Sequence, residues 1–319
     1  DVYKRQPKPN GVPGEVWKLI MLHDDLLDEL LILFNKCLSS GQLPDDWSIG
    51  DVVAIYKKKE PSYPANYRPI TLLDTIYKIY TRMLATRLQA TVDPFLRRSQ
   101  YGFRRNRSTL HAIHVVRRIF DALNHKQHTD LNLILCDWNK AFDKVDTVAL
   151  KDALQSFGIG GHFLATVLAT FHAQFRVLGL EGFPSSDLHP QATGIRQGCP
   201  LSPLLFVIML SWLMEGVDKL YQQTGVTPPP NIPILDVFYA DDTILLSSDP
   251  IDLQTRFTLL ESLGAKIGLT LNRDKTVLLL GKVRHKSTLG TSRYPNHPLI
   301  RPMNILYNDG TSVKITELS

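Results

Sequence analysis

The sequence predicts an α+β fold. Segments with helical spacing of apolar residues and apolar runs of strand length follow one another without regular alternation, a mixture typical of α+β rather than α/β folds. The 319 residues, 44% of them apolar and 21% charged, exceed one typical core. One large domain or two closely associated domains are therefore expected.

The first 130 residues are predicted to be mainly helical. Leucines that recur at three-to-four spacing predict an amphipathic helix over residues 17–38. A short strand is expected over 52–56, and helices over 72–90 and 109–123, the last with Ser108 as its cap. Residues 1–7 do not lead naturally into this pattern and are interpreted as a scar or fragment edge.

Strand signals appear after residue 130. The continuous apolar run 131–136 has the length of a strand and ends abruptly at Asp137. Residues 234–246 are apolar on both sides of Asp241 and Asp242, which predicts a β-hairpin with the two acids at its turn. A second hairpin turn is expected at 308–310, which reads Asn-Asp-Gly.

Three more helices are predicted in this half of the chain. Asp146 is expected to cap a helix over 147–157 that Gly158 closes. Ser202 followed by Pro203 is a cap with proline at the first helical position, and it opens a long helix to about Tyr221. The last helix is expected over 253–263.

Composition excludes several classes of protein. The longest apolar stretch, 204–214, is interrupted by a serine and is too short to cross a bilayer, so no membrane partner is expected. Cys37, Cys136 and Cys199 lie far apart, which argues against a disulfide framework and against a zinc site. Cysteines without disulfide partners favour an intracellular, reducing compartment. The sequence does not decide between nucleus and cytoplasm.

Charge is distributed unevenly along the chain. Residues 51–120 contain 14 Lys and Arg against four acidic residues, whereas the whole chain carries a net charge of only +5. The rest of the chain is therefore net acidic. A basic half and an acidic half fit a phosphate-binding surface and a carboxylate site, and the charge pattern alone fits a solvated basic surface equally well.

Three aspartates at strand ends are the candidate catalytic groups. Asp137 ends an apolar strand, and Asp241 and Asp242 form the turn of an apolar hairpin. Ionised carboxylates in such places are costly unless paired or bound to metal, and adjacent ones raise each other's pKa. Mg²⁺ or Mn²⁺, hard cations that prefer oxygen ligands, would resolve both problems. An isolated Asp-Asp pair is, however, also an ordinary polar turn.

Six short motifs occur in an order that resembles one enzyme family. Residues 238–243 read Phe-Tyr-Ala-Asp-Asp-Thr and resemble the Tyr-x-Asp-Asp motif of reverse transcriptases. The other motifs are Asn-Tyr-Arg-Pro-Ile at 66–70, Gln-Tyr-Gly-Phe-Arg at 100–104, Leu-Cys-Asp-Trp-Asn-Lys-Ala-Phe-Asp at 135–143, Gly-Ile-Arg-Gln-Gly-Cys-Pro-Leu-Ser-Pro at 194–203 and Gly-Leu-Thr-Leu-Asn-Arg-Asp-Lys-Thr at 268–276. The form at 196–203 resembles that of non-LTR (LINE-like) retrotransposons, whereas group II intron enzymes usually show a variant without the cysteine.

The resemblance implies a right-hand polymerase fold with fingers and palm subdomains and with the thumb largely missing. The fingers are expected at 8–130, the palm at 131–281, and the start of a post-palm, thumb-connecting segment at 282–319. The implied activity is RNA-directed DNA polymerisation with two Mg²⁺ ions, Mn²⁺ being an alternative. The implied partners are an RNA template, a DNA primer and deoxynucleoside triphosphates.

The resemblance also implies roles for single residues. Asp137, Asp241 and Asp242 correspond to the metal-binding triad of the family, with the carbonyl of Trp138 as a further oxygen ligand. Lys275 is the implied general acid for pyrophosphate, with an ordinary exposed turn lysine as the alternative reading.

Further residues are implied in substrate binding. Phe142 corresponds to a steric gate against the ribose 2′-OH, and Gln197 and Gly198 to a loop near the sugar. Arg68 is expected to meet the triphosphate and Arg104 to support the templating region.

A wider set of side chains is expected to serve the template. Tyr101 and Phe103 offer stacking faces, and the lysines at 57–59, Arg105 and Arg107 are candidate contacts to the template backbone, each with solvated surface as the alternative.

Two alternative functions stay open at this point. One is a group II intron or retron-type reverse transcriptase, which shares the chemistry. The other is a domesticated fragment that binds RNA without catalysis, although the intact aspartates speak against decay of the active site. The sequence predicts no oligomeric state.

Overall fold

Helices and strands follow one another irregularly in the computed structural model, which describes residues 11–58, 60–126, 131–179, 185–230, 232–281 and 304–317. The described residues group into two compact units. The first unit comes from Asp1–Phe95 and Phe142–Met209, and the second from Leu96–Ala141 and Leu210–Ser319. The mixture of elements confirms the predicted α+β class. The predicted boundaries of fingers and palm stay a prediction, and residues 1–7 and 282–303 lie outside the described ranges.

The secondary structure is as follows. The strands are β1 (Ile49–Tyr56), β2 (Tyr67–Leu72), β3 (Leu131–Cys136), β4 (Gln174–Val177), β5 (His189–Pro190), β6 (Asp236–Tyr239), β7 (Asp242–Ser247), β8 (Val277–Gly281) and β9 (Lys314–Glu317). The helices are α1 (Gly14–Ile20), α2 (Asp24–Ser40), α3 (Asp45–Ser48), α4 (Thr75–Val92), α5 (Thr109–Lys126), α6 (Ala141–Lys144), α7 (Thr147–Ser156), α8 (Gly161–Ala169), α9 (Ser202–Gln223) and α10 (Pro250–Lys266). Among the helices of the described ranges, none has the length and apolar character needed to cross a bilayer.

Several predicted elements are confirmed in detail. β3 has the predicted bounds, and α9 begins at the predicted Ser202. Asp146 caps α7, since its Oδ1 accepts a hydrogen bond from the Ala149 amide at 2.7 Å. β6 and β7 form the predicted hairpin.

Two helix predictions were wrong in their bounds. The single helix expected over 17–38 is two helices, α1 and α2, because the chain turns at 21–23 and a new helix starts with Asp24 and Asp25. Acidic residues in the first turn favour such a start, since they face the positive end of the helix dipole. The helix expected from residue 72 begins at Thr75, because Leu72 pairs with Asp51 in the β1–β2 ladder.

The first unit contains a sheet with the strand order β2-β1-β4-β5. β1 pairs antiparallel with β2 and parallel with β4. Beside it, Phe34, Trp47, Tyr77 and Tyr80 form an aromatic cluster with ring centroids 5.1–6.3 Å apart. Burial of large aromatic rings is a major source of stability in such a core.

A buried arginine ties the loop before α9 to this cluster. The Arg196 guanidinium lies 5.1 Å from the centre of the Tyr77 ring and donates hydrogen bonds of 2.7 Å to the carbonyls of Trp47 and Ser48. Its planar fork of donors suits two adjacent carbonyls. The loop that holds the Gln-Gly pair of the sequence motif is therefore anchored at Arg196.

The second unit contains a sheet with the strand order β6-β7-β3-β8-β9. β3 lies at its centre and pairs antiparallel with β7 and β8, and β9 joins β8 in parallel. One face is covered by α5 through a cluster of buried residues: Ala112, Ile119, Leu123, Leu131, Leu133, Ile232, Val237 and Leu246. The continuous apolar sequence of β3 follows from this central position.

A network of charges around the buried Asp236 supports the start of β6. Arg97 hydrogen-bonds Asp236 through two nitrogens and Asp218 through a third. Burial lowers the pKa of Arg97, but its hydrogen bonds to Asp236 and Asp218 and their charges outweigh burial, and the pKa is raised. Asp236 is 2% exposed, so its charge depends on Arg97 for compensation.

Candidate active site

The three predicted aspartates meet at one end of the second unit's sheet. The β3–β7 ladder ends at the pair Cys136 and Thr243. Asp137 and Asp242 are the next residues beyond that pair, and the charge of Asp137 acts on the Asp242 carboxyl. Asp241 lies in the two-residue turn between β6 and β7, whose closing pair is Tyr239 and Asp242. The antiparallel pairing thus brings together carboxylates that are far apart in sequence.

The main chain on both sides of Asp137 is held by the segment before β8. The Asn272 amide donates a hydrogen bond to the Asp137 carbonyl at 2.7 Å, and the Asn139 amide donates to the Thr270 carbonyl at 2.8 Å. The Asp137 amide donates to Oγ1 of the buried Thr276 at 3.4 Å. The motif at 268–276 therefore fixes the end of β3 where Asp137 leaves it.

Electrostatic repulsion is concentrated at Asp242. Asp242 is exposed at the start of β7, but partial desolvation by the surrounding protein raises the pKa of its carboxyl. The charges of Asp241 and Asp137 raise it further, and Lys275 lowers it. The charges of Asp241 and Asp137 therefore act directly on the Asp242 carboxyl.

Lys275 provides a positive charge in this group. Its Nζ lies 3.1 Å and 3.3 Å from the two carboxylate oxygens of Asp137. The lysine predicted as a general acid is thus an ion-pair partner of a predicted metal ligand in this structure.

The oxygen donors suit a hard divalent cation. Within the described ranges, no group of three or more His, Cys, Asp or Glu side chains has an arrangement that could directly hold a metal ion. In this structure the Lys275 ammonium forms an ion pair with Asp137, one of the three carboxylates. Burial and then the charges of Asp241 and Asp137 raise the pKa of Asp242. A bound cation would relieve this repulsion, so the chemistry of the donors would fit such an ion if Lys275 released Asp137.

Trp138 has a structural side chain. It is 4% exposed, and its indole Nε1 donates a hydrogen bond to Thr243 Oγ1 at 3.1 Å. This bond links the residue after Asp137 to the residue after Asp242. The role of the Trp138 carbonyl as a metal ligand stays a prediction.

The Arg104 side chain is buried against the main chain of Arg97. It is 8% exposed, and one of its guanidinium nitrogens donates a hydrogen bond to the Arg97 carbonyl at 2.9 Å. This geometry favours a supporting role over direct contact with nucleic acid. Phe103, next to it, is exposed and has a positive φ of 56°, and Arg107 lies 5.3 Å from the centre of the Tyr101 ring.

The first unit brings together Phe142 and the loop around Gln197. The Phe142 ring stacks on Phe206 with centroids 4.9 Å apart, and the Phe142 carbonyl accepts a hydrogen bond from Ile195 N at 2.8 Å. Gln197 Nε2 donates to Oδ1 of Asp143 at 2.8 Å. The predicted gate and the predicted sugar-binding loop are therefore neighbours in this unit.

Gly198 and Arg68 both lie at strand β2 of the first unit's sheet. Gly198 has a φ of 109°, and a Cβ there would come within 2.8 Å of the Thr71 carbonyl oxygen, so glycine is required. Arg68 is exposed on β2, opposite Ile55 of β1. Lys57 and Lys58 are exposed after β1, whereas residue 59 lies outside the described ranges.

One residue of the site was missed by sequence reasoning. Gln100 is 1% exposed and hydrogen-bonds the backbone of Ala240, next to Asp241. The sequence shows Gln100 as the first letter of a motif, but no spacing rule connects it with a turn that lies 140 residues later.

Comparison with known protein families gives one match that covers most of the chain. Residues 55–299 match the model of the family described as reverse transcriptase (RNA-dependent DNA polymerase). The match includes the three aspartates, Lys275 and the loop around Gln197.

Curated relatives come from mobile elements. The Pol polyprotein of a type-1 R2 retrotransposable element from Popillia japonica is 29% identical over 245 residues, which are 75% of this chain and 33% of the relative. The RNA-directed DNA polymerase from mobile element jockey of Drosophila melanogaster is 29% identical over 249 residues, 77% of this chain and 26% of the relative. This chain thus spans a third or less of the length of these relatives.

Solved structures with a similar fold include telomerases. Apo telomerase from Candida tropicalis, truncated from its C-terminal domain, matches with a TM-score of 0.57 at 17% identity, over 85% of this chain and 57% of that chain. At this identity the similarity concerns the fold alone. Together with the family match, it supports the right-hand polymerase fold.

Proposed function

This chain belongs to the reverse transcriptase (RNA-dependent DNA polymerase) family, and on that premise we propose that it extends the 3′-OH of a DNA primer along an RNA template. The observation that carries the proposal is the end of the β3–β7 ladder, where Asp137 and Asp242 follow the last pair beside the turn that holds Asp241. The relatives from the R2 and jockey elements support an origin in a non-LTR retrotransposon.

Two Mg²⁺ ions are the proposed cofactors, and Mn²⁺ would fit the same donors. Members of the family generally use divalent metal ions. Asp137 and Asp241 would hold them, with Asp242 and the carbonyl of Trp138 as further oxygen donors. When bound, the ions lower the pKa of the primer hydroxyl and stabilise the charge of the leaving pyrophosphate.

Lys275 has two proposed tasks. Its ion pair with Asp137 compensates the carboxylates before substrate arrives. If a cation took the place of the ammonium at Asp137, Lys275 would be free to donate a proton to the leaving pyrophosphate.

Further substrate contacts are proposed from the roles that the family resemblance implies. The Phe142 ring, supported by Phe206, would exclude the 2′-OH of ribonucleotides, and Gln197 and Gly198 would line the sugar. Arg68, exposed on β2, would bind the triphosphate through charge-assisted hydrogen bonds. Arg104 would hold the loop that carries the template contacts.

Primer extension tests the proposal directly. The chain is given an oligo(dT) primer on poly(rA), dTTP and Mg²⁺, and we expect extension that EDTA abolishes. Asp241→Asn is expected to lower the rate at least about 100-fold, because it removes charge stabilisation at the reacting centre. Asp152→Asn, an exposed aspartate on α7, is the matched control and should leave the rate unchanged.

The outcome also separates the alternatives. Extension with the expected loss in Asp241→Asn supports the polymerase. Retention of RNA without extension by the unsubstituted chain would reject catalysis and favour an RNA-binding fragment.

A further inference from the structure

We propose that Gln100 is a positioning residue that holds the Ala240–Asp241 turn in the shape needed for cation binding. The inference rests on the proposed polymerase function and deepens it. It concerns how the second unit orients Asp241, a proposed metal ligand that is flanked by an unusual backbone conformation.

The turn has a conformation that its own sequence does not favour. Ala240 has a φ of 57°, in the left-handed region. Two-residue hairpin turns commonly use this region, but they usually place Asn, Asp or Gly there, because a Cβ is crowded by the following carbonyl. An alanine in such a position persists when surrounding structure imposes the conformation.

The side-chain amide of Gln100 provides this external support. Its Oε1 accepts a hydrogen bond from the Ala240 amide at 3.2 Å, and its Nε2 donates to the Ala240 carbonyl at 3.2 Å. The same Oε1 also accepts from the Gly102 amide at 2.7 Å. One buried side chain therefore satisfies both backbone groups of Ala240, and the two N–H donors require the oxygen at that end of the amide.

The support is itself anchored to the hairpin. The Phe238 amide donates to the Ser99 carbonyl at 2.9 Å, and the Tyr101 amide donates to the Phe238 carbonyl at 2.8 Å. Gly102 continues this contact, since a Cβ there would come within 2.0 Å of the Ala240 nitrogen. The segment 99–102 thus runs along the outer edge of β6 up to the turn.

The consequence falls on the next residue. The Ala240 carbonyl belongs to the peptide unit that leads into Asp241, so a bond from Gln100 restricts rotation of that unit. Without it, the turn can relax from the left-handed conformation, and the Asp241 carboxylate would leave the orientation set by the hairpin. Partners that orient metal ligands typically change metal affinity by about 10–100-fold.

Binding of Mn²⁺ without substrate tests the inference separately from catalysis. Gln100→Met keeps the length of the side chain and removes all three hydrogen bonds. We expect about 10-fold or greater weakening of Mn²⁺ affinity, measured by electron paramagnetic resonance, and a matching rise in the Mg²⁺ concentration for half-maximal primer extension.

Gln254 offers a matched control in the same unit. Its Oε1 accepts a hydrogen bond from the Leu306 amide at 2.7 Å, and its Nε2 donates one to the Leu306 carbonyl at 2.8 Å. Gln254→Met removes an equivalent pair of bonds away from the acidic turn and should leave Mn²⁺ affinity unchanged. Equal Mn²⁺ affinities of the Gln100→Met and Gln254→Met variants would overturn the inference, even if both unfold at a lower temperature.

A second comparison applies if Gln100→Met does not fold. Ala240→Gly relieves the left-handed strain and leaves the turn free to move. The double variant Gln100→Met/Ala240→Gly should bind Mn²⁺ more weakly than the single variant Ala240→Gly. Equal Mn²⁺ affinities of these two variants would reject the positioning role. If every variant binds Mn²⁺ as expected but the unsubstituted chain extends no primer, the proposed function fails instead.

Discussion

The repulsion at Asp242 links the acidic site to the stability of the fold. Its pKa is raised by burial and by Asp241 and Asp137. A carboxyl with a raised folded pKa contributes stability below its unfolded pKa, near 3.8, and the contribution is lost as pH rises through the folded pKa. At neutral pH the metal-free site therefore holds repulsion that a cation or a neutral side chain would remove.

Asp242→Asn is expected to stabilise the metal-free chain. We predict a Tm higher by roughly 1–3 °C at pH 7, because opposed like charges on paired strands are destabilising. The gain should shrink as the pH falls towards 4, where the native carboxyl takes up a proton. Thermal unfolding in EDTA at both pH values measures this, and a lower Tm at pH 7 would contradict it.

Lys275 should affect cation binding and chemistry in opposite directions. Lys275→Met removes the ammonium that competes for Asp137, so Mn²⁺ should bind more tightly. The same change should slow single-turnover incorporation by about 100–10,000-fold, because the proton donor is lost. An unchanged incorporation rate would leave Lys275 as an ordinary charge partner of Asp137.

The Phe142 ring is expected to control sugar selectivity. Phe206 holds it by stacking at a centroid distance of 4.9 Å. Phe142→Val should lower discrimination of dGTP over GTP on a poly(rC) template by about 10–200-fold, the range for one altered steric contact. Competition between the two nucleotides gives the ratio, and an unchanged ratio would remove the gate role.

At the scale of elements, the sequence predicts those whose signals are local. β3 is a continuous apolar run, α7 carries its own aspartate cap, and α9 opens with Ser-Pro. The acids at the hairpin turn are predictable for the same reason. The motif order adds that Asp137 belongs with them, although their meeting depends on the β3–β7 register.

The missed strands depend on distant partners. β4 and β5 are short and largely exposed. β4 pairs with β1, which is far away in sequence, and β5 depends in turn on its pairing with β4. β9 is paired in parallel with β8, which no local pattern reveals. The support of Ala240 by Gln100 is of the same kind, since it depends on tertiary structure rather than on spacing.

β6 begins at Asp236, whose charge is buried with Arg97. We expect Asp236→Ala to lower the free energy of unfolding by about 3–5 kcal/mol, because Arg97 would lose its most buried partner. Urea denaturation measures this loss. Lys219→Met, which breaks the exposed pair with Glu215 on α9, is the control and should cost less than about 0.5 kcal/mol. A loss below about 1 kcal/mol in Asp236→Ala would show that the buried pair contributes little.

At the scale of the whole molecule, the basic stretch 51–120 suits a polyanion. We predict that the Kd for single-stranded RNA rises about 10–1000-fold between 50 and 200 mM salt, because each neutralised phosphate releases counterions. Fluorescence anisotropy at several salt concentrations gives the slope.

A charge variant on α5 provides the control for that slope. Arg117 and Arg118 are exposed there. Replacing both with Gln should reduce the slope of log Kd against log salt concentration by about 1 for each arginine that contacts a phosphate. Binding that does not respond to salt would contradict an electrostatic interface.

One edge strand of the second unit's sheet is β6, which segment 99–102 covers, and the other is β9, which covers the outer side of β8. A shortened chain that stopped before Lys314 would bare the main-chain groups of β8, whose sequence is Val-Leu-Leu-Leu-Gly. Uncovered apolar strands of this kind recruit other chains and precipitate. C-terminal deletion variants should therefore retain residue 317, because a shorter chain could lose activity through precipitation rather than through loss of a catalytic residue.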